Sequence, residues 1–137
     1  MEPVLQSITA GIPVFLLHFI MAITVFSVAT CIYIWITPYR ELALVKQNNT
    51  AAAISLSAAL IGLSLPLGFC LAGSVSSYDI ALWGGLILLI QLATYRTIDL
   101  LLGNIPQSIE QNKTAPVLVM AAAKLSIAML NAAAIAG

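Results

Sequence analysis

The chain has 137 residues, of which 61% are hydrophobic and 7% are charged. Soluble globular proteins carry about 25% charged residues, so a soluble fold of this length could not cover its surface. The mean hydropathy of +1.06 points the same way. Five basic and five acidic residues give a net charge of zero, which leaves no basic surface for nucleic acid. The composition therefore predicts an all-α membrane protein in contact with the lipid bilayer.

Four apolar runs are long enough to cross a bilayer, which takes about 20 helical residues. The predicted helices cover residues 12–36, 51–73, 80–102 and 115–136. The first is expected to begin at Pro13, because proline is tolerated in a first helical turn. Met1 to Pro3 lacks the basic residues that precede a signal-peptide core, so the first run is expected to be retained as a span.

The positions of lysine and arginine predict the orientation. Arg40 and Lys46 lie in loop 37–50 and Lys113 lies in loop 103–114, whereas the second loop and both tails have none. Short loops rich in lysine and arginine stay on the cytoplasmic side. The first and third loops are therefore predicted to be cytoplasmic, and both termini periplasmic.

An internal repeat appears when the chain is shifted by 64 positions, which aligns Val45–Gly73 with Ile109–Gly137. Both copies have the string Gln-Asn-x-Thr-Ala at the start of a helix. The pattern indicates that a two-helix unit was duplicated, with repeat one at 12–73 and repeat two at 80–137. Such copies should be parallel repeats about an axis along the membrane normal. Chance matching of two alanine-rich helices is the alternative.

Short motifs in both halves resemble one family. In the first half they are Thr37-Pro38-Tyr39-x-Glu41, Asn49-x-Ala51-Ala52-Ala53, Gly62 and Pro66-Leu67. In the second half they are Asp99-Leu100, Pro106, Ile109 and Asn131-Ala132-Ala133. Over nearly the whole chain they resemble the YjfL-type bacterial inner-membrane proteins (domain of unknown function 350, UPF0719-like). The resemblance implies a bacterial inner-membrane location and a doubled four-helix architecture, but no activity. A glycine commonly precedes the family's loop asparagine, and here Asn48 takes that position.

Three ionisable residues inside the predicted spans are candidate functional residues by default: Arg96, Asp99 and Lys124. Arg96 and Asp99 are three residues apart on one helix and can pair. Lys124 should lie at a similar depth on the next helix, so the three are expected to converge. Lys124 then lacks a partner of its own. It could lose its proton, reach the cytoplasmic surface, share Asp99, or meet a carboxylate or anionic lipid from outside the chain. Alternatively, the three form a polar network that holds two helices together.

Further polar candidates are weaker. Asn131 lies seven residues after Lys124, on the same helical face. His18 is a possible proton relay near the outer face, or an interfacial histidine bonded to a neighbour. Pro66 should kink the second helix and free the carbonyl of Gly62, which could then bind an ion or hydroxyl. In repeat one the positions equivalent to Arg96, Asp99, Lys124 and Asn131 are apolar: Ile32, Trp35, Leu60 and Leu67.

The sequence contains no catalytic motif, cofactor-binding motif or cluster of metal-ligand residues, so an enzyme is not expected. Four helices offer little room for a transport pathway within one chain, which favours a homo-oligomer or a subunit of a membrane complex.

The expected function is ion or proton passage, or sensing. Asp99 is the expected proton or cation acceptor, Arg96 would keep it ionised, and Lys124 would tune or gate the site. The alternative is a non-conducting scaffold that recruits a cytoplasmic stress-response partner through loops 37–50 and 103–114.

Overall fold

The structure is a computed structural model that describes residues 1–73 and 76–137, except for the side chain of Ser77. Every regular element within these residues is an α-helix. In chain order the helices are α1 (Glu2–Ile36), α2 (Glu41–Lys46), α3 (Thr50–Gly73), α4 (Ser77–Leu102), α5 (Ile105–Glu110) and α6 (Thr114–Ala136).

Four of these helices, α1, α3, α4 and α6, are long and apolar enough to cross a membrane. The predicted all-α, four-span architecture is thereby confirmed. Helix α3 is the most buried of the four and packs against each of the other three, most extensively against α6. The short helices α2 and α5 lie within the first and third loops, at the same end of the bundle, which we call the loop end.

All four spanning helices start before the predicted residue, α3 and α6 by a single residue and α1 and α4 by more. Helix α1 begins at Glu2, ten residues early, so Pro13 lies inside the helix and not in its first turn. Pro3 and the acidic Glu2 already provide a favourable first turn. Helix α4 begins at Ser77 because Ser76 and Asp79 form a reciprocal capping box, in which each side chain accepts from the other's backbone N–H. The predicted second loop lies partly outside the described residues.

The two loop segments adopt the same local structure 64 residues apart. Helices α2 and α5 are both six residues long, and each is followed by an asparagine with positive φ: 61° at Asn48 and 55° at Asn112. Asparagine tolerates this left-handed conformation better than most residues. This explains why Asn48 can stand where a glycine is common. The tandem duplication itself stays a prediction.

Hydrogen bonds join the two loops. The Asn49 side-chain amide donates to the carbonyl of Ile109 at 2.7 Å, and the backbone N–H of Ala51 donates to the Asn112 side chain at 3.0 Å. Asn49 also accepts from the backbone N–H of Ala52 at 2.8 Å. These bonds satisfy first-turn groups of α3 that have no partner within the helix. They hold the starts of α3 and α6 side by side.

The apolar core has two parts. The cluster near the loop end contains Tyr39, Ala51, Ala52, Tyr95, Ile105, Ile109, Val117 and Met120. The cluster further from that end contains Ala29, Leu63, Leu67, Ile80 and Ile87. The buried polar residues described below lie within and between these clusters.

We expect Gly84→Ala to destabilise the bundle, because an added Cβ would overlap the Cγ1 of Val25 where α4 crosses α1. Overpacking of this kind typically lowers the free energy of unfolding by about 1–3 kcal/mol. Gly85→Ala is the matched control, since a Cβ there would meet no atom within 4 Å. Thermal unfolding in detergent measures both variants. Equal stability of the two would contradict the described α1–α4 packing.

Candidate functional site

The first residue of α2, Glu41, is fully buried, with 0% of its surface exposed. The chain leaves α1 at Ile36 and turns through residues 37–40, which places α2 over the loop end of the bundle. Leu42 and Ala43, the next two residues of α2, are exposed. The short helix therefore directs an acidic side chain inward although it begins outside the spans.

Three hydroxyl groups surround one oxygen of this carboxyl group. Glu41 Oε1 accepts from Tyr33 at 3.2 Å, from Tyr39 at 3.1 Å and from Ser55 at 3.1 Å. The Tyr39 and Ser55 hydroxyls also lie 3.0 Å apart. The donors come from the end of α1, the first loop and the start of α3. Glu41 therefore joins α1, the first loop and α3 at the loop end.

Lys124 of α6 is also fully buried, at 0% exposure, and contacts this cluster through Tyr33. Its Nζ donates to the Tyr33 hydroxyl at 2.8 Å. The same nitrogen lies 4.5 Å from the centre of the Tyr33 ring and 5.0 Å from that of Tyr95, within cation–π range. A helical side chain leans towards the helix N-terminus, so Lys124 points towards the loop end. We call Tyr33, Tyr39, Glu41, Ser55, Tyr95 and Lys124 the upper cluster.

Within the described part of the chain, Lys124 makes no direct ion pair with a carboxylate; the Tyr33 hydroxyl stands between it and Glu41. A hydroxyl can accept one hydrogen bond while donating another. Tyr33 is therefore a bridge between the buried base and the buried acid. Lys124, the Tyr33 hydroxyl and Glu41 thus form a chain of hydrogen bonds along which protons can exchange.

The upper cluster has a place for one more proton. Glu41 Oε1, Tyr39 and Ser55 make three mutual close contacts, but their two hydroxyls supply only two protons. A proton on Glu41 would give each contact a donor. Glu41 Oε2 is buried without a hydrogen-bond partner, and so is the Tyr95 hydroxyl. The geometry therefore accommodates both the ionised and the neutral carboxyl group.

Burial raises the pKa of Glu41 above its ordinary value, because the charged form loses its hydration. The positive charge of Lys124 and the three hydroxyl donors lower this pKa in part, and the net direction is upward. Burial likewise raises the pKa of the Tyr39 phenol, which stays a donor at neutral pH. Glu41 is therefore an acid whose proton is held more tightly than that of an exposed glutamate.

A groove of about 450 Å³ runs along the loop end beside this residue, and Trp35, Tyr39, Arg40 and Glu41 are among the residues that line it. Trp35 is 84% exposed, as suits an aromatic side chain at a membrane–water interface. The groove therefore lies beside α2, the short helix that carries the buried carboxyl group.

Arg96, Asp99 and Lys124 were expected to converge, but no ion pair joins any two of them within the described residues. Asp99 Oδ1 accepts from the backbone N–H of Ile105 at 3.0 Å and thereby caps the start of α5. Arg96 is exposed, with its guanidinium 5.9 Å from the Tyr95 ring centre. It forms no ion pair with Asp99 among the described residues. The carboxylate that Lys124 lacked in the prediction is Glu41, from the same chain.

The secondary candidates lie apart from the upper cluster. His18 is partly buried in the outer half of α1 and has no side-chain hydrogen bond within the described residues. Asn131 is partly buried on α6, and its Nδ2 has no partner. The Gly62 carbonyl, which Pro66 deprives of its helical donor, accepts from Gln91 Nε2 at 3.3 Å. The expected free carbonyl thus binds a side chain of α4.

Sequence reasoning missed Glu41, the three tyrosines, Ser55 and Gln91 as site residues. Glu41 and Tyr39 belong to a motif that resembles the family, yet a single acid in a polar loop is normally solvated. The available signal was charge balance: a membrane lysine without a partner requires an acid, and Glu41 lies five residues after the end of the first span. Only the turn at residues 37–40 shows that it folds inward.

These features define a class: a polytopic membrane protein of four spanning helices, with a buried acid–tyrosine–lysine cluster under its loop end. The chain belongs to the family described as Domain of Unknown Function (DUF350), whose model matches residues 7–135. It is similar to the UPF0719 inner membrane protein YjfL of Escherichia coli strain K12, with 34% identity over 116 residues, covering 85% of this chain and 88% of the relative.

The relative of the same name from Escherichia coli O157:H7 matches to the same extent. No solved structure matches the chain. The predicted family and location are confirmed: this is a multi-pass protein of the bacterial inner membrane.

Proposed function

We propose that this membrane protein binds and releases a proton at Glu41, in exchange with the side predicted to be cytoplasmic. The observation that carries the proposal is the fully buried Glu41, joined through the Tyr33 hydroxyl to the fully buried Lys124. A buried acid and base without direct contact are costly for stability alone, since an apolar pair of similar volume serves at least as well. Perturbed ionisable groups in membrane interiors are typical of proton pathways.

The transfer step is balanced as follows. The Tyr33 O–H bond breaks and its proton forms an O–H bond on Glu41, while an N–H bond of Lys124 breaks and supplies the proton that restores Tyr33. The carboxylate and ammonium ion become a neutral acid and a neutral amine. The reverse step restores both charges. The sequence suggested Asp99 as the proton acceptor, but its side chain caps the start of α5. In this proposal Glu41 is the acceptor instead.

The experiment compares proton uptake by purified protein in detergent after a downward pH step, read with an indicator dye. Over a pH step that spans the raised pKa of Glu41, wild type should take up one proton per chain more than Glu41→Gln. Thr94→Val, which changes a buried but not ionisable side chain, is the matched control and should take up as many protons as wild type. Equal uptake by wild type and Glu41→Gln would refute the proposal.

We propose further that the protein works as a subunit of an oligomer. In support, α3 and α6 form an open groove of about 460 Å³ whose lining includes the small residues Ala53, Ser57, Ala58, Ala121 and Ala122. Small residues let helices approach closely in membranes. Ala122→Phe should lower the molecular mass of the detergent-solubilised particle, whereas the exposed Ala133→Phe should leave it unchanged. Unchanged mass in both would contradict this use of the groove.

A second candidate is the non-conducting scaffold for a cytoplasmic partner. The bonds of Asn49 and Asn112 favour it, because they join the two loops into one surface. Under this reading Glu41 keeps one protonation state over the pH step and fixes α2 in place, so Glu41→Gln would weaken partner binding and leave proton uptake unchanged. The uptake experiment therefore separates the two candidates.

A further inference from the structure

On each spanning helix a second polar group lies further from the loop end than the upper-cluster residue of that helix, on the same helix face. This group lies three, four or seven residues from the upper-cluster residue on the same helix, and residues with these spacings share one helical face. The pairs are Tyr33 and Thr30 on α1, Ser55 and Gly62 on α3, Tyr95 and Gln91 on α4, and Lys124 and Asn131 on α6. We call Thr30, Gly62, Gln91 and Asn131 the lower set.

Three members of the lower set have a buried polar atom without a hydrogen-bond partner in the described part of the chain: Thr30 Oγ1, Gln91 Oε1 and Asn131 Nδ2. An unsatisfied buried group costs about 1–3 kcal/mol. Native proteins keep few of them, and each calls for an explanation such as a bound ligand. Gln91 is 2% exposed and holds the Gly62 carbonyl through its Nε2, so its Oε1 stays free.

Glycine at position 62 makes this arrangement possible, because a Cβ there would lie 3.1 Å from Gln91 Oε1. That is tighter than an ordinary contact. Pro66 frees the carbonyl to which Gln91 donates. Gly62, Pro66 and Gln91 therefore belong to one local structure that places an amide in the bundle interior.

The lower set extends over much of the membrane. At 1.5 Å per residue, Thr30 lies about 9 Å from the end of α1, and Gln91 about 16 Å from the end of α4. Asn131 lies about 25 Å from the start of α6, a helix about 34 Å long. The hydrocarbon core is about 30 Å thick. Together with the upper cluster, polar groups therefore occur at successive depths from the loop end towards the opposite face.

We propose that the lower set continues the proton pathway through the bundle, so that the protein passes protons across the membrane. This rests on the proposed function of Glu41. Gln91 and Asn131 would act as positioning residues: their amides hold water molecules that carry the proton, since neither side chain titrates at neutral pH. Lys124 would exchange protons with this water, and Tyr33 would pass them to Glu41.

The chemistry of the lower set favours protons over metal cations. It has no carboxylate, and its surroundings include the apolar Ala29, Leu63 and Leu67. A dehydrated Na⁺ or K⁺ needs several oxygen ligands, and hydrated calcium and magnesium prefer carboxylates. A proton needs only a continuous sequence of hydrogen bonds. Selectivity for protons is therefore part of the proposal.

The test measures proton flux into liposomes that contain the full-length protein and an internal pH-sensitive dye, driven by a potassium diffusion potential. Wild type should conduct, and Gln91→Leu should reduce the rate on the order of 100-fold, the typical contribution of a positioned proton-transfer group. Thr94→Val is the matched control, because this buried hydroxyl on the same helix already donates to the Ile90 carbonyl. It should conduct like wild type.

Asn131→Leu serves as a second variant in case Gln91→Leu does not fold, since Leu67 occupies the corresponding position of the first half. Wild-type conduction that neither variant reduces overturns the inference, and so does a lack of flux in the wild type. If either of these results is found while Glu41 still takes up its proton in detergent, the proposed function of Glu41 stands and only the pathway fails. If Glu41 takes up no proton but Gln91→Leu stops the flux, the proposed function of Glu41 fails, and the lower set conducts protons without Glu41.

Discussion

Lys124→Met is expected to lower the free energy of unfolding by about 3–5 kcal/mol, the typical cost of breaking a buried charged pair by removing one partner. Methionine keeps most of the volume of lysine, so the loss comes from charge and hydrogen bonding. Glu41 would keep its three hydroxyl donors but lose the nearby positive charge. Reversible unfolding in mixed micelles, followed by circular dichroism, measures the change.

The double variant Glu41→Gln, Lys124→Met should recover most of this loss, because a neutral cluster has no uncompensated charge. Leu60→Met is the control, since Leu60 is the position equivalent to Lys124 in the first half and already carries an apolar side chain. If the double variant is as unstable as the sum of its single variants, Glu41 and Lys124 are not coupled, and the described cluster is wrong.

The stability of the wild type should fall as the pH rises above about 4.3, the ordinary pKa of glutamate. Burial raises the pKa of Glu41 in the folded protein, so the folded state binds more protons than the unfolded state in this range. The slope of stability against pH is then negative, and it reaches at most about 1.4 kcal/mol per pH unit for one group. It ends once the pH passes the raised pKa of the folded state.

Glu41→Gln should remove this slope, whereas Glu110→Gln should leave it, because Glu110 is an exposed acid on α5. Chemical unfolding at a series of pH values gives the slopes for all three proteins. An unchanged slope in Glu41→Gln would show that another group accounts for the pH dependence.

Much of the fold follows from the sequence. Each span exceeds the length that a bilayer requires, so the number of spans was predictable, and all four spans end at the predicted residue. The starts were harder to predict, because they depend on local hydrogen bonds such as the capping box of Ser76 and Asp79. Helix α2 was not predictable from hydropathy, since six residues are too few to show a period.

The site was less predictable than the fold. The three-residue spacing of Arg96 and Asp99 on one helix predicted that they would pair. Instead, Asp99 accepts a hydrogen bond at the start of α5, and the Arg96 side chain is exposed. Lys124 was correctly singled out as an intramembrane charge that needs a partner. Its partner Glu41 reaches it through Tyr33, which is 91 positions from Lys124 in the sequence, and no local pattern contains that information.

The two halves of the chain divide the upper cluster unequally. The first half supplies Glu41, Tyr33, Tyr39 and Ser55, and the second supplies Lys124 and Tyr95. The acid and the base therefore occupy positions that do not correspond under the 64-residue shift. If the halves arose by duplication, each has since acquired a different part of the site.

Infrared difference spectroscopy of the purified protein during a pH titration observes the proton on Glu41 directly. We expect a protonated-carboxyl band that persists above the pH at which exposed glutamates ionise. It should be absent in Glu41→Gln and present in Asp99→Asn. A band that titrates like an exposed glutamate, or one that survives in Glu41→Gln, would contradict the assignment of Glu41 as the buried proton-binding group.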